Sequence, residues 1–142
     1  MKKGLLVGAL LASLGLPAAL LAQARAGGTS LGSVTLNRRV MADGQPLAAG
    51  TYQARLTADQ PTPGAGQSPD AERYVEFVRG GKVVGREVAT VVSNADIATM
   101  VKGPKPAAGG SRVELLKGND YVRVWINRGG MNYLIHMPPA TP

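Results

Sequence analysis

The strongest constraint on this chain lies near its C-terminus, where apolar and polar residues alternate from Arg112 to Met137 through three segments. Alternation of period two is the mark of strands, because successive side chains leave a pleated strand on opposite faces. Gly118-Asn119 suits a two-residue type II′ turn with glycine at its first central position. That turn sets Leu116 opposite Tyr121, Leu115 opposite Val122, Glu114 opposite Arg123, Val113 opposite Val124 and Arg112 opposite Trp125. Asn127-Arg128-Gly129-Gly130 supplies the next turn, and either placement of its loop pair keeps the same parity. The three segments therefore predict a meander. One face holds Val113, Leu115, Val122, Val124, Ile126, Tyr133, Ile135 and Met137, without a charge. The other holds Arg112, Glu114, Leu116, Tyr121, Arg123, Trp125, Asn127, Asn132, Leu134 and His136.

The same period runs through the chain upstream. Val34, Leu36 and Val40 predict a strand reaching about Met41, after a Gly/Ser/Thr lead-in at Gly27 to Ser33. Asp43-Gly44-Gln45-Pro46 is a turn, and from Gly50 the residues Tyr52, Ala54 and Leu56 share one side of the next strand. Glu72 to Val92 reads as a hairpin about Gly80-Gly81. Its register stays open, because a plain two-residue turn mixes polar and apolar residues on both faces, and a bulge at Gly85 would correct this. Asn94 to Val101 is either a short helix capped by Ser93 or Asn94 or an irregular crossing segment. Ala58 to Asp70 and Lys102 to Ser111 are loops rich in proline and glycine. With 19 Gly and 10 Pro among 142 residues, a helical bundle is disfavoured. The expected architecture is all-β: one antiparallel sandwich or open barrel of about seven strands.

Residues 1–26 carry a different signal. Lys2 and Lys3 precede an uncharged apolar run from Leu5 to Leu21, and Ala24-Arg25-Ala26 is a small-x-small cleavage site. This is the pattern of a secretory signal peptide, with residues 27–142 as the exported domain. Taken from Gly4 to Ala22, the stretch is also just long enough to cross a bilayer. Pro17 and the small residues at its end favour cleavage, so the exported chain is expected in the periplasm or the medium without membrane insertion. The formal charge of +7 falls to +4 once Lys2, Lys3 and Arg25 leave. The remaining basic residues alternate with acidic ones, and neither this nor export suits nucleic acid as a partner.

The chain has no cysteine, which excludes disulfide staples, thiolate nucleophiles and cysteine-based metal centres. One His and no Asp-rich calcium loop leave no ligand set for a metal, and no cofactor is expected. That His stands in a strand near the end of the sequence, so a nucleophilic triad is not expected either. Glu72 and Glu76 read as outward charges balanced by Arg73 and Arg79. The Gly-Gly pairs at 80–81, 109–110 and 129–130 are turn glycines, none of which begins a helix that would cradle phosphate.

The polar face of the meander is the candidate site, because it carries the only Trp and the only His together: Arg112, Tyr121, Arg123, Trp125, Asn132 and His136. Aromatic rings offer flat apolar surface to a sugar ring while Arg, Asn and His donate directional hydrogen bonds beside it. The plainer reading is a cross-strand ion pair between Glu114 and Arg123 with Arg112 stacked on Trp125, each contributing roughly 0.2–1 kcal/mol. A third has Trp125 and Leu134 covered by a loop such as Ala58 to Asp70, making a second small core.

Asp43-Gly44-Gln45-Pro46-Leu47-Ala48-Ala49-Gly50-Thr51-Tyr52, with Gly32-Ser33-Val34 before it, resembles the strand–turn–strand opening of carboxypeptidase-regulatory-like, transthyretin-type β-sandwich domains. The likeness spans Gly32 to Leu56 and implies a β-sandwich. The whole exported chain also resembles small exported bacterial proteins of uncharacterised function, which implies no activity. The expectation is a non-enzymatic binding module for an envelope glycan or protein; the alternative is an assembly module joining a partner chain through a β-edge or its N-terminal segment.

Overall fold

The computed structural model describes residues 28–62, 65–66 and 71–140. The signal-peptide pattern and much of the loop from Ala58 to Asp70 lie outside the described residues. Among the described residues nine strands and one short helix follow in order: β1 (Thr29–Leu36), β2 (Val40–Ala42), β3 (Gln45–Leu47), β4 (Gly50–Leu56), β5 (Glu72–Arg79), β6 (Lys82–Ser93), α1 (Ile97–Met100), β7 (Ser111–Leu115), β8 (Val122–Arg128) and β9 (Met131–Met137).

Seven of the strands form one antiparallel sheet in the order β1-β4-β5-β6-β9-β8-β7, which curls until its two edges nearly meet. Six antiparallel steps leave β1 and β7 running in the same direction. No ladder joins them among the described residues; the Ser111 hydroxyl donates to the Ser33 carbonyl at 3.1 Å across the seam. The inward face is apolar from every strand, with Val34 and Leu36 of β1, Tyr52 and Ala54 of β4, Val75 and Phe77 of β5, and Ala89 of β6. From the meander come Val122, Val124, Ile126, Tyr133, Ile135 and Met137, with Val113 partly buried beside them. Leu115, at the free end of edge strand β7, is 36% exposed despite its inward parity.

One end of the barrel is plugged by the β2–β3 hairpin, whose Val40, Ala42 and Leu47 enter the core. The strand expected to run on to Met41 breaks at Asn37–Arg39, and this break lets the chain fold back over the opening. Asp43 and Gly44 turn the hairpin with positive φ at both, so Gln45 and Pro46 already belong to β3. The hairpin is fastened by Met41 N–H donating to Pro138 O and Asp43 N–H to the Glu87 carboxylate, both at 2.8 Å. Gly85 makes room for it. A Cβ there would sit 3.2 Å from Leu47 Cδ1, and the β5–β6 register shifts at this place, pairing Phe77 with Gly85 and Val78 with Val83. The bulge leaves Val84 without a partner and returns Val75 and Ala89 to the inside.

The meander has the expected register: Arg112 to Leu115 face Trp125 to Val122, and Val122 to Arg128 face Met137 to Met131. Its first turn differs from the expected type II′. Asn119 N–H donates to Leu116 O, and both Gly118 and Asn119 take positive φ, so the chain reverses through a wider loop between Leu116 and Tyr121. The lead-in differs too, since Thr29 to Ser33 already belong to β1, where Thr29 and Ser30 pair with Leu56 and Arg55.

Candidate functional site

Strand order decides what happens to the outer face of the meander. β6 and β7 are consecutive strands, but β9 and β8 lie between them in the sheet. Residues 94–110 must therefore cross both. They do so on the outside, at the end of the barrel where β6 finishes and β7 begins, and they cover half of the face that the sequence singled out.

The cover is specific in its contacts. Ile97, in the single turn of α1, and Val101 pack with Val92, Trp125 and Leu134 into a second apolar cluster. Trp125 is 1% exposed. Its indole N–H donates to Asn132 Oδ1 at 2.8 Å, and the Asn132 amide donates to Asn94 Oδ1 at 2.8 Å and Val92 O at 3.2 Å. Further along, Asn127 Nδ2 donates to Pro106 O and Arg112 Nη1 to Pro104 O. Backbone bonds from Gly109 N–H to Asn127 O, and from Asn127 N–H to Gly110 O, finish the strap. Trp125 and Asn132 thus act inside the fold, and no aromatic platform at Trp125 meets solvent. A second core exists as the third reading had it, but the covering segment is 94–110 and not Ala58 to Asp70.

Beyond the strap, Glu114, Arg123 and His136 form a row across β7, β8 and β9. Arg123 grips one carboxylate oxygen of Glu114 at 2.7 Å through Nη2 and 3.2 Å through Nε. Arg112 Nη2 reaches the other oxygen at 3.4 Å. The guanidinium over the Trp125 ring is that of Arg123, at 5.6 Å, and not that of Arg112, which the strap draws away. His136 is exposed, and Tyr121, 45% exposed, stands edge-to-face with it at 6.2 Å. Burial of its ring and the charge of Arg123 both hold the His136 pKa below its ordinary value. Of the six candidates, Tyr121, Arg123 and His136 are brought together at the surface, Arg112 joins them through Glu114, and Trp125 with Asn132 are taken by the strap.

A second polar group lies on the outer face of β4, β5 and β6, where the sequence suggested only outward charges balanced by neighbours in the chain. Glu76 stands between Arg55 and Arg86 in the register and is buried, with Oε1 lacking a hydrogen-bond partner. Burial raises its pKa, opposed by Arg55 and Arg86 and reinforced by Asp59. Arg86 lies over the Tyr74 ring at 4.0 Å and reaches Asp43 and Asp59 at 3.5 and 3.9 Å. The expected balance of Glu72 and Glu76 by Arg73 and Arg79 is not what forms: Arg73 donates to Thr57 O and Arg79 to the Tyr52 hydroxyl. The cross-strand neighbours of Glu76 could be read only once the Gly85 bulge was placed.

Gly28-Thr29-Ser30-Leu31-Gly32 has the spacing of a hydrolase nucleophile elbow, another feature the sequence reading missed. That motif needs a strand-to-helix turn, and here its Thr29 to Gly32 run along β1, with Ser30 Oγ accepting from Gly32 N–H at 3.4 Å. His136 is at the opposite end of the barrel. Among the described residues no group of His, Asp or Glu is placed to hold a metal ion, and no pocket opens. Comparison with protein-family models, curated proteins and solved structures finds no match to this chain.

Proposed function

We propose that this protein is an exported, non-enzymatic module that binds a component of the cell envelope, a glycan first of all, through Tyr121, Arg123 and His136. Export rests on the Lys2-Lys3 start, the apolar run and the Ala24-Arg25-Ala26 site. The observation that carries the binding reading is where the strap stops. It covers Trp125 and leaves the next row open, with a tyrosine ring 45% exposed against a histidine and beside an arginine held by Glu114. A ring face with imidazole and guanidinium donors alongside suits a polyhydroxylated ligand. The chemistry asks for neither cofactor nor metal.

Amide chemical shifts of the purified protein, recorded against a panel of envelope glycans, test this. Tyr121, Arg123 and His136 should move together, and Tyr121→Ala should remove the response while the folded spectrum persists. A panel that moves none of them would end the reading. The second reading, assembly with a partner chain through a β-edge, is favoured by the β1–β7 seam, where a side-chain bond stands in place of a ladder.

A further inference from the structure

The plugged end of the barrel gathers a group of exposed basic residues. Arg38 and Arg39 follow β1, Arg79 and Lys82 flank the β5–β6 turn, and Lys117 follows β7. The register of the sheet brings all three connections to the same end, around the β2–β3 hairpin. All five side chains are exposed. None has a carboxylate within ion-pair distance among the described residues. Of the acids at this end, Asp43 pairs with Arg86, and Glu87 accepts from the Asp43 and Val88 backbone N–H groups. Glu87 and Asp120 are left to offset the five, which leaves this end an excess of cations.

At least one of these cations is fixed in place. Arg79 lies over the Tyr52 ring at 5.1 Å, donates to its hydroxyl at 3.2 Å, and occupies the space a side chain on Gly50 would need. The Tyr52 hydroxyl in turn donates to Ala48 O at 2.6 Å. Tyr121 stands at the same end, half out of the protein.

We propose that this rim docks on the surface of an anionic lipid bilayer. A linear polyanion is held best by cations in a row or a groove, but these are spread around the barrel's rim with no pocket among the described residues. A plane of fixed negative charge meets such a rim at several points at once. Basic residues near an anionic leaflet each add to the attraction, and a tyrosine beside them sits favourably at headgroup level. Docking involves contact only, without insertion. The inference rests on the reading that this end of the molecule faces the cell envelope, and it adds the lipid surface as a second contact beside the glycan.

The test is flotation of the purified protein with phosphatidylcholine vesicles, with and without phosphatidylglycerol, at low and high salt. Binding is expected only to the anionic vesicles and is expected to be lost in high salt, as for exposed charges. Each cation removed should weaken partitioning roughly fivefold, so a variant with Arg38→Gln, Arg39→Gln and Lys117→Gln should fall about a hundredfold. The control, Lys102→Gln with Lys105→Gln on the strap, should bind as the parent does. No binding to anionic vesicles, binding that ignores lipid charge, or equal loss in the control would each overturn the inference. Glycan-induced shifts at Tyr121 without vesicle binding would overturn it while leaving the proposed function standing, and absence of both would remove the two together.

Discussion

The two apolar clusters lie back to back on the same strands, yet they depend on different parts of the chain. The inner core draws on all seven strands and the plugging hairpin, so its residues are joined by contacts distant in sequence. The outer core is Val92, Ile97, Trp125 and Leu134, with Val101 at its margin, and it exists only because residues 94–110 cross over β9 and β8. Loss of the first removes the fold. Loss of the second should free the strap and leave the barrel, since local segments can open well below the cost of global unfolding. The difference also separates the outer face: structural side chains lie under the strap, and the polar row proposed as the binding site lies beyond it.

Val124 is fully buried in the inner core, and Val124→Asp should prevent folding, because an unpaired carboxylate has no compensation there. Soluble expression and far-ultraviolet circular dichroism would read this; a folded variant would break the comparison from the inner side. Ile97→Ala should cost about 2–4 kcal/mol, with a red shift of Trp125 emission and faster amide exchange confined to residues 94–110. If strands β4 and β5 lost protection equally, the outer core would be an extension of the inner one. Arg123→Ala opens a part-buried ion pair on the outer face and should cost about 1 kcal/mol in denaturant unfolding, well below either.

The smallest effect is in pH dependence. Burial favours protonated Glu76 in the folded state, so its contribution to stability is full below the ordinary carboxylate pKa and is lost as pH rises through the raised folded value. Glu76→Gln should therefore raise Tm at neutral pH, with the gain shrinking toward acid. His136 has the opposite sign: its lowered pKa gives a contribution present above 6.5 and lost as pH falls through the folded value. A Tm gain for Glu76→Gln that is constant with pH would show that its charge is not what the burial opposes.

The all-β class and the meander were legible because their information is local. Two turns of agreeing parity fixed every pair from Arg112–Trp125 to Leu115–Val122, and the wider loop at Leu116–Tyr121 changed the turn without changing the faces. The Glu114–Arg123 pair followed from that register alone. Strand order is not local, and no pattern in residues 82–93 announces that β6 pairs with β9. Without that pairing, the crossing of residues 94–110 over Trp125 could not be seen, and an indole on a polar face looked like a platform. Ile97 and Val101, one helical turn apart on one side of a short helix, were the available hint of an apolar stripe facing the sheet. The break at Asn37–Arg39 was hidden for a similar reason: Val40 continues the alternation of Val34 and Leu36, but its partner is Leu47 in a hairpin of its own.

The most direct test is the environment of Trp125, the only tryptophan in the chain. With the strap in place, emission should be blue-shifted and protected from iodide and acrylamide, and Ile97→Ala should move it toward the solvent value while the barrel stays folded. A red-shifted, freely quenched tryptophan in the unaltered protein would contradict the second core and return Trp125 to the surface.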